Sequence, residues 1–184
     1  MNSEKAKIRA SFLKKRLSLA RQTVLEKSNK ISEKFQKIPQ VQKAKKIQNY
    51  LPIKNEVETK QIIDGLVKRG KIIYLPFYRD GDYYLSRFED WDKLEKGPFG
   101  ILQPIRMMTI NPREIDIAVL PGLAFSRTGL RLGYGKGVFD RLFGKSKALR
   151  IGLAYEFQIV NELPKEKHDL VMDIVVSEKE VYRI

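Results

Sequence analysis

The chain has 184 residues and is 42% hydrophobic, which suits one domain with a buried core. It contains no cysteine, which excludes disulfides and thiolate metal sites, and its single histidine argues against a zinc site. No run of about 18 apolar residues occurs, and the N-terminus lacks the apolar core of a signal peptide. We therefore expect no membrane-spanning helix, and a cytoplasmic location follows by default.

The formal net charge is +14, which allows three interpretations. The lysines are spread along the chain, and much of the excess lies in residues 5–46, where helix faces are expected. This distribution favours a lysine-rich solvated surface over a nucleic-acid footprint. A third interpretation, an electrostatic field that attracts a small polyanionic substrate, stays open.

Hydrophobic periodicity and chain breakers predict alternating helices and strands. Helices are predicted over residues 3–17, 21–36 and 56–69, with a further short helix after residue 137. Strands are predicted at residues 46–51, 71–75, 83–88, 115–120, 149–154 and 171–176. This alternation predicts an α/β fold, a three-layer α/β/α sandwich with a mainly parallel sheet, in a single domain spanning residues 1–184.

Three prolines, Pro52, Pro76 and Pro121, each directly follow a predicted strand. In parallel sheets, ligands bind beyond the carboxyl ends of the strands, so we expect these three exits to line one cleft. Residues 89–114 form a long irregular connection, and such connections often serve a site.

The segment Arg131-Leu132-Gly133-Tyr134-Gly135-Lys136-Gly137-Val138-Phe139-Asp140, the glycine loop, is the most informative part of the sequence. Three glycines at alternate positions allow exposed N–H groups to surround an anion, and the lysine and arginine supply positive charge. The order of strand, glycine-rich loop and helix is typical of phosphate binding in α/β proteins. The spacing fits neither the Walker A nor the Rossmann pattern, so a simple turn is the alternative.

Other charged residues have both a functional and a structural interpretation. Lys5 and Arg9 share one helix face and could clamp a polyphosphate, although a solvent-exposed pair is the more common case. Glu56 and Glu58 fall at a predicted helix start, where carboxylates favour the helix dipole, and this explanation is preferred from the sequence alone.

Three aspartates are candidate Mg²⁺ ligands. Asp140 ends the glycine loop, while Asp169 and Asp173 flank the entry to the last predicted strand beside His168. Mg²⁺ typically takes one or two carboxylates together with substrate phosphates. His168 is interpreted as a structural or surface residue.

Together these segments resemble the 5-formyltetrahydrofolate cyclo-ligase family, also called methenyltetrahydrofolate synthetase, over nearly the whole chain. The most specific part is the block 131–140 after residues 120–125. The weaker matches are Lys5-x-x-x-Arg9, residues 50–52 and 56–59, residues 97–101 with Pro104, Gln158, residues 168–169 and Asp173.

The resemblance implies an α/β sandwich enzyme that uses MgATP to convert 5-formyltetrahydrofolate to 5,10-methenyltetrahydrofolate, giving ADP and phosphate. It assigns ATP binding to Lys5, Arg9, Arg131, Leu132, Gly133, Tyr134, Gly135, Lys136, Gly137, Val138 and Phe139. It assigns the folate to Leu51, Glu56, Tyr134, Gly135, Lys136, Gly137 and Val138. Lys136 and Arg131 would be catalytic, and Asp140 and Asp169 would hold Mg²⁺, with Asp173 in reserve.

Two departures from the family pattern affect ligand contacts. Val138 and Phe139 stand where the family usually has two tyrosines, and Ser126 stands where it often has aspartate. An apolar wall would survive at the first pair. We expect a small-molecule substrate, no nucleic-acid or membrane partner, and a monomer. The alternatives are a different ATP-using enzyme on the same scaffold and a non-enzymatic RNA-binding protein.

Overall fold

The computed structural model describes residues 2–166 and 169–184. Five α-helices lie in these ranges: α1 (Asn2–Leu17), α2 (Arg21–Gln36), α3 (Pro39–Lys43), α4 (Lys60–Lys68) and α5 (Val138–Phe143). The strands are β1 (Lys46–Gln48), β2 (Ile72–Arg79), β3 (Asp82–Arg87), β4 (Leu94–Lys96), β5 (Leu102–Pro104), β6 (Thr109–Ile110), β7 (Ile117–Pro121), β8 (Ala124–Ser126), β9 (Arg131–Leu132), β10 (Leu149–Leu153), β11 (Ile159–Val160), β12 (Ile174–Val176) and β13 (Val181–Arg183).

An eight-stranded sheet forms the centre of the fold, in the order β13-β12-β10-β7-β1-β2-β3-β6. The inner strands β12, β10, β7, β1 and β2 are parallel, and β13, β3 and β6 add antiparallel edges. The predicted α/β class with a mainly parallel sheet is therefore confirmed. None of the described helices combines the length and apolar composition that crossing a bilayer requires.

The two faces of the sheet are covered differently. Side chains such as Ile47, Ile117 and Ile151 pack with the apolar faces of α2, α3 and α4. On the opposite face, Ala118 and Leu120 pack against Phe125 and Phe143. This second layer combines α5 with a small sheet of β11, β8 and β9, onto which Ile8 and Phe12 of α1 pack. It is thus less helical than the sequence predicts.

Strand β2 continues through Pro76, where the sequence predicted its end. Its neighbour β1 stops at the pair Gln48–Tyr74, so beyond this point β2 pairs only with β3, and Pro76 lies opposite Leu85. Among the described strands, none pairs with β2 on its other side there, so the N–H group that proline lacks is not required. The strand ends in a two-residue turn, Asp80-Gly81, with both φ angles positive, as the tight turn of a hairpin requires.

Other boundaries also differ from the prediction. Helix α4 begins at Lys60 and β1 ends at Gln48, because residues 49–59 form a loop. The segment predicted as irregular, 89–114, contains the hairpin β4–β5 and the edge strand β6. Strand β12 begins at Ile174, three residues later than predicted.

Candidate active site

A cavity of about 530 Å³ opens at the carboxyl ends of the parallel strands. Its wall includes Leu51 and Ile53 on either side of Pro52, together with Pro76 and Pro121. The three strand exits therefore line one cleft, as predicted. Another side of the cavity is formed by the turn and the second strand of the hairpin β4–β5, through Pro98, Ile101, Leu102 and Gln103.

The glycine loop forms one wall of the cavity and leads into α5. Gly135 and Gly137 have φ angles of 94° and 62°, in the region that favours glycine, and Gly137 directly precedes the helix. Arg9 reaches this loop from α1, and its Nε donates a hydrogen bond to the carbonyl oxygen of Gly133 at 2.9 Å. A Cβ atom at Gly135 would lie 3.3 Å from the Arg9 guanidinium carbon. The structure therefore brings the loop and the first-helix cation Arg9 together at the cavity.

Two ion pairs join the predicted phosphate-binding cations to the predicted metal ligands. Arg131 Nη2 lies 3.0 and 2.9 Å from the two carboxylate oxygens of Asp140. Lys5 Nζ lies 2.8 Å from Asp169 Oδ2 and 3.3 Å from Glu166 Oε1. All five side chains line the cavity. The carboxylates are of the type that Mg²⁺ prefers, and two on one cavity wall suit a site completed by phosphate oxygens.

The other metal and charge candidates have different positions. Asp173 accepts a hydrogen bond from the backbone N–H of Arg150 at 2.7 Å and is not among the described residues that line the cavity. Within the described ranges, no three His, Asp or Glu side chains cluster as a ready metal site. Lys136 is exposed and lines the cavity. His168 lies outside the described residues.

Glu56 is a buried carboxylate in the cavity wall, only 4% exposed. Its Oε2 accepts a hydrogen bond from the backbone N–H of Ile53 at 3.0 Å, and Arg16 Nη2 lies 3.7 Å from its Oε1. Burial raises the pKa of Glu56 to about 7, against the opposing charge of Arg16. Burial likewise raises the pKa of the neighbouring Tyr134 hydroxyl to about 12, with the negative charge of Glu56 as the next cause.

The loop that carries Glu56 is held in an unusual conformation. Lys54 and Asn55 both have positive φ angles, 49° and 57°, which cost energy in non-glycine residues and need support. The side-chain amide of Asn55 donates to the carbonyl oxygen of Leu19 at 3.1 Å, and the Tyr155 hydroxyl donates to the carbonyl oxygen of Glu56 at 3.1 Å. The surrounding fold therefore fixes the direction of the carboxylate.

The helix-start explanation for Glu56 and Glu58 is wrong. Both residues precede α4, which has no acidic residue in its first turn. Glu58 instead pairs with Arg21 and is not among the described cavity residues. The local backbone conformation at Lys54 and Asn55, which the sequence does not signal, moves the helix start.

Residues at the two departures from the family pattern also have defined positions. Val138 and Phe139 line the cavity, where they form an apolar wall. Ser126 is buried, and its hydroxyl accepts a hydrogen bond from the N–H of Leu130 at 3.0 Å. It stabilises the turn between β8 and β9, which is a structural role.

Arg16 is the main site residue that the sequence interpretation missed. It is 1% exposed and reaches Glu56 and Tyr134 from the last turn of α1. The available signal was spacing, because Lys5, Arg9 and Arg16 are separated by four and seven residues and so share one helix face. Gln103, Tyr78 and Ile101 also line the cavity without a motif that marks them.

Comparison with known proteins gives the same family that the glycine loop indicates. The model of the 5-formyltetrahydrofolate cyclo-ligase family matches residues 1–178. The chain belongs to this family. The 5-formyltetrahydrofolate cyclo-ligases of Mus musculus and Haemophilus influenzae are each 31% identical to it, over 97% and 96% of this chain and 95% and 96% of their own lengths.

Solved structures agree. The 5,10-methenyltetrahydrofolate synthetase of Aquifex aeolicus superimposes with a TM-score of 0.89 at 35% identity, over 97% of this chain and 92% of that one. The 5,10-methenyltetrahydrofolate synthetase of Mycoplasma pneumoniae gives 0.77 at 25% identity, over 95% and 99%. The chain is thus an enzyme of the cyclo-ligase class.

Proposed function

We propose that this cyclo-ligase converts 5-formyltetrahydrofolate to 5,10-methenyltetrahydrofolate with consumption of ATP and release of ADP and phosphate. The observation that carries this function is the placement of a cation-bearing glycine loop and a buried carboxylate in one cavity. The loop side offers Lys5, Arg9, Arg131 and Lys136 to phosphate oxygens, and Glu56 offers an acceptor to the second ligand.

The chemistry requires activation of an unreactive oxygen. The formyl oxygen attacks the γ-phosphorus of ATP, the bond from that phosphorus to the bridging oxygen breaks, and ADP leaves. N10 of the folate then attacks the formyl carbon and loses its proton to solvent. Phosphate departs with the former formyl oxygen as the methenyl bridge forms. The protein needs mainly to position two ligands and neutralise charge, as in other phosphoryl transfers.

The residue roles follow the two sides of the cavity. Lys5, Arg9 and residues 131–139 would bind ATP, with Lys136 and Arg131 stabilising the charge on the transferred phosphoryl group. Leu51 and Glu56 would contact the folate, with residues 134–138 beside it. All of these residues line the same cavity, which supports the assignment of both ligands to it.

Asp140 and Asp169 would hold Mg²⁺. Mg²⁺ held there would neutralise part of the charge on the phosphate oxygens. Asp169 and Asp140 now pair with Lys5 and Arg131. When the ligands bind, these cations would pair with phosphate oxygens and the carboxylates with Mg²⁺, so every charge would keep an opposite partner. Asp173, with its carboxylate occupied by the Arg150 backbone, is the weaker candidate.

Action as a monomer, with residues 1–184 as one domain and without a nucleic-acid partner, is part of the same proposal. A different substrate on this scaffold is the alternative to test. The buried Glu56 argues against an RNA-binding role, because a carboxylate in the binding cavity would repel phosphate.

A spectroscopic assay tests the reaction. The purified protein is mixed with 5-formyltetrahydrofolate, Mg²⁺ and ATP, and the methenyl product is followed by its absorbance. We expect product only when ATP is present. A folded protein that gives no product at several temperatures would contradict the proposed substrate, and small molecules that stimulate ATP hydrolysis would then be sought.

A further inference from the structure

Arg16 joins three segments that meet at the active site. Its Nε donates a hydrogen bond to the carbonyl oxygen of Lys54 at 2.9 Å, and its Nη1 donates to that of Gly122 at 3.0 Å. Its Nη2 donates to the hydroxyl of Tyr134. These acceptors belong to the loop after β1, the segment after β7 and the glycine loop. One side chain from α1 therefore fixes their relative positions.

The same guanidinium lies behind the Glu56 carboxylate. Nη2 is 3.7 Å from Oε1 of Glu56, and this oxygen is buried. Oε2 accepts from the N–H of Ile53, and the Tyr134 hydroxyl also contributes a hydrogen bond to the carboxylate. An ionised carboxylate can accept more hydrogen bonds than these, so Glu56 keeps acceptor capacity in the cavity wall. Arg16 itself is not among the described residues that line the cavity, so it acts through its neighbours.

We propose that Arg16 is a positioning residue, which holds the Glu56 carboxylate against the Tyr134 hydroxyl and keeps that carboxylate charged as an acceptor for an N–H group of the substrate. This role rests on the proposed function, since the substrate donor would be a ring N–H of the folate. Lysine is a poor substitute, because it lacks the planar fork that reaches several acceptors at once.

Among the charged and titratable groups around Glu56, Arg16 is the main one that opposes the effect of burial on the pKa of this carboxyl group. Lys54 lies on the same loop, Tyr134 faces it from the glycine loop, and Tyr50 lies at the start of the loop. Burial raises the pKa of Glu56, and Arg16 is the largest of the influences that lower it. Without Arg16 the carboxyl group would be protonated to higher pH, and a protonated group is a weaker acceptor.

The test compares wild type, Arg16→Met and Arg16→Lys. The dissociation constant of 5-formyltetrahydrofolate is measured by calorimetry between pH 6 and 9 with ATP omitted. We expect Arg16→Met to move the midpoint of the pH dependence upward by about one unit. One unit of pKa corresponds to a tenfold change in the charged fraction below the midpoint, so binding should weaken about tenfold at pH 6 and about threefold at pH 7.5. Arg16→Lys should show a smaller shift in the same direction.

A double-mutant cycle separates this role from a purely structural one. In the Glu56→Gln background there is no carboxylate to keep charged, so Arg16→Met should cost several-fold less affinity and leave the pH profile flat. An equal loss in both backgrounds, or a wild-type pH midpoint in Arg16→Met, would overturn the assignment. If the Arg16→Met protein does not fold, the test rests on Arg16→Lys. A midpoint of the pH dependence equal to that of wild type in Arg16→Lys would then overturn the assignment.

Thermal unfolding keeps the test independent of the substrate. If wild type does not bind 5-formyltetrahydrofolate at any pH, the proposed substrate is wrong, and Arg16 is judged from melting temperatures over the same pH range. The difference between wild type and Arg16→Met should then grow as pH rises, and only when Glu56 is present. Parallel curves would overturn the role of Arg16.

Discussion

Three cations in or directly behind the cavity wall, Lys5, Arg131 and Arg16, are almost completely buried. Each faces a carboxylate: Asp169, Asp140 and Glu56 respectively. Burying an unpaired charge costs several kcal/mol, so these pairs keep the cavity stable without a ligand.

The raised pKa of Glu56 predicts an unusual pH dependence of stability. The folded pKa, about 7, exceeds the ordinary value of 4.5, so the folded state binds more protons than the unfolded state between these values. Stability should therefore fall as pH rises through this window. Glu56→Gln should remove this fall, changing the pH 5 to pH 8 difference in unfolding free energy by on the order of 2 kcal/mol. Denaturant unfolding at both pH values measures it, and parallel behaviour of the two proteins would refute the assignment of the pKa.

Lys136 is the loop cation whose loss should affect turnover most simply, because its side chain is exposed at the cavity and its replacement leaves the ion pairs of Lys5, Arg16 and Arg131 in place. We expect Lys136→Ala to lower turnover by about 10²–10³, the scale for one preorganised charge stabiliser. Lys30→Ala, an exposed position on α2, is the matched control and should retain wild-type turnover. Full activity in a folded Lys136→Ala protein would remove this residue from the mechanism.

Among the elements, α1 and the glycine loop make the largest contribution to the site. Helix α1 carries Lys5, Arg9 and Arg16 on one face, and the loop carries Tyr134 and Arg131. On the proposed function, the ion pairs between these cations and the carboxylates would couple nucleotide binding to metal binding. Phosphate oxygens that bind the cations would release the carboxylates for Mg²⁺.

This coupling predicts that Mg²⁺ tightens nucleotide binding through Asp169. A non-hydrolysable ATP analogue, titrated with Mg²⁺ or with a chelator, should bind about tenfold more tightly with Mg²⁺, within the usual range of coupling energies. Asp169→Asn should lose this gain and should bind the metal-free analogue more tightly than wild type does, because Lys5 is then less engaged. Asp173→Asn, which changes a carboxylate outside the described cavity lining, should keep the gain. Equal gains in all three proteins would count against the metal assignment.

How far the sequence predicts these elements depends on the local signal. The sequence predicts strands β2, β7 and β10 because they are buried apolar runs. It also predicts the glycine loop, which carries its own motif. Strands β8, β9 and β11 have only two or three residues and show no periodicity. The sequence does not predict the start of α4, because tertiary contacts impose the left-handed conformation at Lys54 and Asn55. It does not single out Arg16 either, because α1 carries many basic residues and the sequence does not show which of them is buried.

For the molecule as a whole, the parallel sheet explains why one cavity can serve two ligands. The carboxyl ends of β1, β2 and β7 open at the same edge, and the two sides of the cavity are built from α1 with the glycine loop and from the loop after β1. The net charge of +14 adds a field that favours anionic ligands over the whole surface. Fold and charge thus both support the proposal that two anionic ligands bind side by side.

The most direct test of this account follows the formyl oxygen. 5-Formyltetrahydrofolate labelled with ¹⁸O in the formyl group is incubated with the protein, Mg²⁺ and ATP, and the released phosphate is analysed by mass spectrometry. Transfer of the γ-phosphoryl group to the formyl oxygen predicts one labelled oxygen in each phosphate, with phosphate equal to the methenyl product. Unlabelled phosphate, with the label in water, would contradict phosphorylation of the formyl oxygen as the central step.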